Sequence, residues 1–335
     1  MRNLLPSLLL LILAAALPAR DLEVYFVDVE GGQATLVVSP SGESLLIDTG
    51  WPGFNNRDAN RIADAAKAAG VKKIDYLVIT HYHQDHVGGV RQLAAKLPIV
   101  NFVDHGPNVE KTRDVEPLYE TYEEIRAKGK HIQVKPGDTL PVRGLDVQVV
   151  AAGGEAIASP LPGASQPDPD CSSFQKRDAD PTENAQSVGL AISAGAFRMV
   201  DLGDLTWNKE FNLVCPANKI GAADVFVVSH HGMNLSDSPQ LVHALHPRVA
   251  IMNNGATKGG SVEALQTVRE TPGLEDMWQL HYAVAAPKAR NAADTFIANI
   301  DQNCEGKWLK LTVDKDGSFT IYNSRNRYEK TYPKR

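Results

Sequence analysis

Apolar and polar residues alternate from residue 22 to 29, and short apolar runs follow at 34–38 and 44–47, separated by Gly31-Gly32 and by Ser39-Pro40-Ser41-Gly42. A period of two puts successive side chains on opposite faces of a strand, so the chain is predicted to open as an antiparallel sheet of hairpin-connected strands. The pattern then changes. An Ala-rich amphipathic helix is predicted over 58–69, closed by Gly70, then a buried strand at 74–79 and a helix at 87–96 that stops before Pro98. A strand at 99–103, a helix at 116–128 ended by Gly129, and strands at 131–134, 138–140 and 145–150 complete the first half. Residues 152–184 are rich in Gly, Pro, Ser and Asp and read as one long loop, the kind that in a compact domain is functional or disordered.

Beyond it come a hairpin at 187–193 and 197–201, a helix at 207–213, a strand at 224–229, a helix at 238–245, a strand at 249–253 and a helix at 262–270. The tail at 307–322 alternates as a β-hairpin around Asp316-Gly317. Strands in two sets, with helices following each, predict an α+β fold: an αββα sandwich of two mixed β-sheets flanked by helices. No internal repeat and no linker divides it. The expected organisation is a signal peptide at 1–19, one main domain at 20–300, and a β-hairpin extension at 301–335 packed on the same domain.

The N-terminus changes the expected location. Arg2 precedes an apolar stretch at 4–17 that ends in small residues at Ala14-Ala15-Ala16 and Ala19, the arrangement of an export signal. An uncleaved anchor is the alternative, although the stretch falls short of the roughly 20 apolar residues of a spanning helix. An exported, periplasmic or secreted chain meets a disulfide-permissive compartment. Its three cysteines, Cys171, Cys215 and Cys304, allow at most one internal bridge. Cys171 with Cys215 is the expected pair, since both lie in loop-like, Pro-adjacent sequence. The sequence alone leaves the choice open.

With 43% hydrophobic residues the chain can bury a sizeable core, and 34 basic against 40 acidic residues give a net charge of -6. That balance argues against a stable complex with nucleic acid held on a broad basic face. A small phosphate-containing substrate stays compatible, because bound cations supply local positive charge.

The densest chemistry lies in His81-Tyr82-His83-Gln84-Asp85-His86, which follows the predicted strand at 74–79. Imidazole nitrogen with carboxylate oxygen is the donor set that suits zinc and its neighbours. In an extended segment His81, His83 and Asp85 project to one side; if the chain turns after Gln84, Asp85 and His86 serve a second ion beside the first. Three more corners share the format of a buried strand followed by a ligand-type residue beside glycine: Asp48 before Gly50, Asp204 after Gly203, and His230-His231 before Gly232.

On these residues the chain resembles the metallo-β-lactamase superfamily of hydrolases. The supporting motifs are His81 to His86, Asp48-Thr49-Gly50, Gly203-Asp204 and Ser229-His230-His231-Gly232. Within it the chain is most similar to the ComEC-type competence hydrolase domain, on the segments 28–34, Asn184-Ala185-Gln186-Ser187 and His230-His231-Gly232. The resemblance implies two ions, zinc first, with manganese or iron as alternatives, and a metal-bound hydroxide as the attacking group. It implies His81 and His83 on one ion, Asp85 and His86 on the other, and Asp204 between them. One of His230 and His231 completes the second ion's ligands and the other donates a proton. Adjacent strand residues face opposite ways, which argues against both binding metal, and which one binds is left open. Asp85, His230 and His231 are thus the catalytic candidates. Asp48 is expected to orient the cluster through hydrogen bonds.

Many members of this family supply a third histidine to the first ion. His105 is the candidate here, and His131 reads as structural. Asn184 and Lys258, the latter in a Gly-rich loop at 254–260, are the substrate-binding candidates, while Trp278, His281, Tyr282, His243 and His246 read as packing or surface residues. The leading function is hydrolysis of a phosphodiester or related phosphate ester. An amide or lactone hydrolase and a non-catalytic binding module with the same fold are the alternatives.

Overall fold

A computed structural model describes residues 20–335, so the signal-peptide reading lies outside the described residues. Two nine-stranded sheets face each other. The first runs in the order Glu329–Tyr332, Phe319–Asn323, Leu309–Val313, Leu22–Phe26, Thr35–Val38, Ser44–Ile47, Ile74–Val78, Ile99–Asp104, Lys130–Gln133. Its N- and C-terminal strands are antiparallel, and from Ser44–Ile47 onward the strands run parallel. The second sheet is antiparallel through Asp146–Ala152, Gly189–Ala194 and Phe197–Asp201, then parallel through Val225–Val227, Val249–Met252, Asp276–His281 and Ile297–Asn299.

The alternation of each strand divides the core into three layers. Leu45 and Ile47 point between the sheets, where Val24, Val227, Ile251 and Trp278 also lie. Leu46, between them in sequence, points the other way, to the layer under the helices Arg57–Ala68 and Glu116–Arg126. A matching layer packs the second sheet against Trp207–Val214, Pro239–Leu245 and Val262–Arg269. This is the αββα sandwich that the sequence predicts.

Several expectations change in detail. The tail forms three strands rather than a hairpin: Leu309–Val313 pairs with Leu22–Phe26, and Glu329–Tyr332 adds to the outer edge. The last strand is mostly exposed and polar, so it has no apolar alternation to betray it. The helix expected at 87–96 is two pieces, Gln84–Val87 and Val90–Ala94. Its break falls at Gly88-Gly89, where a side chain at 89 would strike the carbonyl of Thr49. The 152–184 stretch is ordered. Leu161 and Ser165 donate N–H bonds to the carbonyls of Lys219 and Asn218, and Pro167 bridges to Ala217. Cys171 and Cys215 are joined, and Cys304 is free.

Candidate metal centre

Parallel strands bring their C-terminal ends to one edge, and loops leaving such ends build binding sites. Asp48 follows Ser44–Ile47, the His cluster follows Ile74–Val78, Asp204 follows Phe197–Asp201, and Ser229–Gly232 follows Val225–Val227. Extended backbone ends at His83, and the turn Gln84–Val87 begins there, so the second of the two arrangements open to the sequence is the one adopted.

Two groups of donors result. Nε2 of His81 and Nδ1 of His83 face each other at 3.1 Å. Beside them Asp85, His86, Asp204 and His231 converge, each offering an atom within 4.8 Å of the others. Asp204 lies between the groups. Its Oδ2 is 3.9 Å from Nε2 of His81, 3.2 Å from that of His86, 3.4 Å from that of His230 and 3.5 Å from that of His231. Its Oδ1 is buried with no hydrogen-bond partner among the described residues. A buried carboxylate oxygen left alone is costly, and a cation relieves that cost. The donors, four imidazoles and two carboxylates, fit zinc and its first-row neighbours.

The far sides of the His81, His86 and His230 rings are held as well, whereas Nδ1 of His231 is buried with no partner among the described residues. Asp48 accepts from the backbone N–H and hydroxyl of Thr80 at 2.8 and 2.7 Å, and its Oδ2 lies 2.7 Å from Nδ1 of His86. A carboxylate accepts only, so His86 donates from Nδ1 and turns Nε2 toward the cluster. Thr80 Oγ1 is 3.1 Å from Nδ1 of His81, and Ser236 Oγ is 3.3 Å from Nδ1 of His230. Gly203 makes this approach possible: at φ +57° it would carry a Cβ only 2.8 Å from that of Thr80.

Burial opposes ionisation of Asp85 and Asp204, yet the facing imidazoles, His86 foremost, hold both well below the ordinary carboxylate range. Burial likewise opposes a charge on His86, but Asp204, Asp85 and Asp48 raise it well above the usual histidine value. His81 is lowered by burial and by its histidine neighbours. The carboxylates are therefore ionised and ready to meet a cation.

His231 joins the four-donor group, with Nε2 3.1 Å from Asp85 Oδ2. His230 approaches Asp204 alone. The argument that adjacent residues face opposite ways does not apply here, because both residues have left the strand with left-handed backbone, φ 52° and 56°. Both rings consequently reach the site.

His105 is not brought to the cluster. Its Nε2 lies 2.9 Å from Glu183 Oε2, and Glu183 also accepts from the backbone of Tyr82 and Val109. Asn184 is adjacent, with a buried and unpartnered Oδ1, and lines a cavity of about 380 Å³ with Arg177, Thr182, Thr206, Trp207 and Leu235. Lys258 pairs with Asp85 Oδ2 and sits 4.8 Å above the Trp51 ring. His131 binds Asp104, and His243 binds Asp170, both apart from the site.

Sequence reasoning missed Glu110. Its Oε2 lies 3.0 Å from Nε2 of His83, fixing the tautomer that frees Nδ1. A lone glutamate in a loop carries no pattern that signals this. Replacing Glu110 with Ala is expected to weaken the ion held by His81 and His83 by about 10- to 100-fold while sparing the other. Competition against a chromophoric chelator measures both affinities, and equal weakening of the two would contradict the assignment.

Residues 27–166 match the model of the metallo-beta-lactamase superfamily. ComE operon protein 3 of Bacillus subtilis (strain 168) is 27% identical over 247 residues, covering 70% of this chain and 28% of that protein. Competence protein ComA of Neisseria gonorrhoeae is 25% identical over 240 residues, covering 72% and 28%. The chain thus spans 28% of the length of both curated relatives. The metallo-beta-lactamase fold protein YhfI of Bacillus subtilis superposes with a TM-score of 0.45 at 12% identity, covering 77% of this chain and 96% of that one. The match to the metallo-beta-lactamase superfamily thus covers the part of the chain that carries Asp48 and the His cluster.

Proposed function

We propose that this chain is an exported di-zinc hydrolase of a phosphodiester or related phosphate ester. The observation that carries the reading is Asp204, whose carboxylate lies between the His81–His83 pair and the Asp85–His86–His231 group and keeps one buried oxygen without a partner. His81 and His83 would hold one ion, Asp85, His86 and His231 the other, and Asp204 both. Bound divalent ions supply an acidified water and a Lewis acid for the ester oxygen.

The chain's own groups do the rest. Nε2 of His230, within reach of Asp204 and steadied by Ser236, is the group placed to hold a proton for the leaving oxygen. Lys258, paired with Asp85 at the mouth of the cluster, offers its ammonium to an anionic substrate. Arg177, over the Trp207 ring at 3.4 Å, lends a second positive charge to the cavity beside Asn184. The Cys171–Cys215 bridge supports export to an oxidising compartment. Among the described residues no helix is long and apolar enough to cross a membrane.

Hydrolysis of bis(p-nitrophenyl) phosphate, with and without chelator and after reloading with zinc or manganese, tests the proposal. Turnover lost to chelator and restored by metal is expected. Turnover that ignores the chelator, or none under any loading, would overturn it. Rapid lactone or β-lactam opening beside inert diesters would assign the same centre to carbonyl substrates.

A further inference from the structure

A second cluster of donors lies apart from the centre described above. His281, the last residue of Asp276–His281, places Nε2 2.8 Å from Asp28 Oδ1. The free thiol of Cys304 lies 3.1 Å from Asp28 Oδ2, 3.8 Å from His281 Nε2 and 3.7 Å from Glu30 Oε1. Asp28 and His281 are buried, and Cys304 is half-buried. We propose that Asp28, His281 and Cys304, with Glu30 as fourth donor, form a structural site for a thiophilic divalent cation such as zinc.

Geometry is the main support. Zinc bonds of about 2.3 Å to sulfur and about 2.0–2.2 Å to nitrogen and oxygen, set tetrahedrally, separate neighbouring donor atoms by about 3.4–3.6 Å. Asp28, His281 and Cys304 offer donor atoms within 4.8 Å of one another, at separations of 2.8, 3.1 and 3.8 Å that bracket that range, while Glu30 comes near through the sulfur, at 3.7 Å, and would have to swing its carboxylate inward. With Glu30 turned inward, an imidazole, a thiolate and two carboxylates would make a closed protein set, the mark of a structural rather than a catalytic zinc.

Charge supports it too. Arg61 pairs with Asp28 and Glu30 at 2.9 and 3.2 Å and touches the Cys304 sulfur at 3.5 Å, while Arg57 pairs with Glu30 and Asp58 at 2.9 and 2.6 Å. Burial disfavours a proton on His281, but Asp28 raises it to about 9, so the metal-free cluster sets three carboxylates against two guanidinium groups and one imidazolium. A divalent ion would displace the proton on His281 and the proton on Cys304. Two charges enter and two leave, and the cluster stays balanced.

The site would tie three remote segments together behind the catalytic edge. Asp28 leads through Gly31 to Gln33, whose backbone N–H donates to the carbonyl of Asp85 at 3.1 Å. Asn254 donates to the carbonyl of His281 at 2.8 Å, which joins the loop bearing Lys258 to the same clamp.

Cobalt(II) gives a clean test, because no sulfur belongs to the catalytic centre. The full mature protein loaded with cobalt should show a thiolate-to-cobalt charge-transfer band in the near ultraviolet. The Cys304→Ser variant should lose that band and one equivalent of metal, with diester hydrolysis unchanged within about twofold. His281→Gln should weaken the band's cobalt affinity at least tenfold, and zinc should slow iodoacetamide alkylation of Cys304 in the wild type. No band once the catalytic centre is filled, equal metal content in Cys304→Ser, or a band of unchanged affinity in His281→Gln would each overturn the site; the last would mean a thiol binding adventitiously alone.

Discussion

Replacing Asp204 with Asn is expected to lower kcat/KM for the proposed diester substrate by about 10³-fold or more, equivalent to about 4 kcal/mol or more of transition-state stabilisation. The size follows from position. Asp204 is buried, ionised, and the carboxylate nearest to both donor groups, with His81 on one side and His86 and His231 on the other. Asparagine keeps the volume but removes the charge and replaces one oxygen with a donor that repels a cation. Metal content should fall below that of the wild type in the same preparation. Retained activity within tenfold at full metal content would show that Asp204 does not join the two groups.

Removing the Cys171–Cys215 bridge costs about 4 kcal/mol of stability on the chain-entropy account, because the two residues are 44 apart in sequence. For a chain of this size that is a fall in Tm on the order of 5 °C. The bridge fastens the loop that carries Phe174, stacked on Phe211 at 4.1 Å, and Arg177, over Trp207, to the helix Trp207–Val214. Thermal unfolding of the oxidised wild type and of a Cys171→Ser, Cys215→Ser double variant measures it. A difference below about 1 kcal/mol would mean that the loop's contacts with 215–219 already restrain the unfolded chain or hold the native loop unaided.

The sandwich was legible because its central strands are short apolar runs punctuated by glycine and followed by helical periods. Asp276–His281 escaped notice: it is buried on both faces and carries Gln279 and His281 among its apolar residues, so no period of two survives. The candidate site residues were legible where they crowd together, at His81 to His86, or where they share the corner format of a strand followed by glycine, as at Asp48, Asp204 and His230-His231. Their pairing at close range was not. The choice between His230 and His231 depends on two successive left-handed residues, and Gly259, whose Cβ would fall 2.1 Å from the carbonyl of His231, helps to hold that turn in place. His105 read as a ligand because it follows a strand and precedes Gly106; a glutamate 78 residues away holds its ring instead. Glu110, Glu183 and the Asp28–His281–Cys304 cluster join residues too distant in sequence for any local pattern to report.

Anomalous diffraction at the zinc edge from zinc-loaded crystals tests the central claim most directly. Besides any peak at the Asp28–His281–Cys304 cluster, two peaks are predicted at this centre, one between His81 Nε2 and His83 Nδ1 and one among Asp85, His86 and His231, with Asp204 touching both. No peak at this edge of the sandwich, or a single peak without Asp204 as a ligand, would contradict the account.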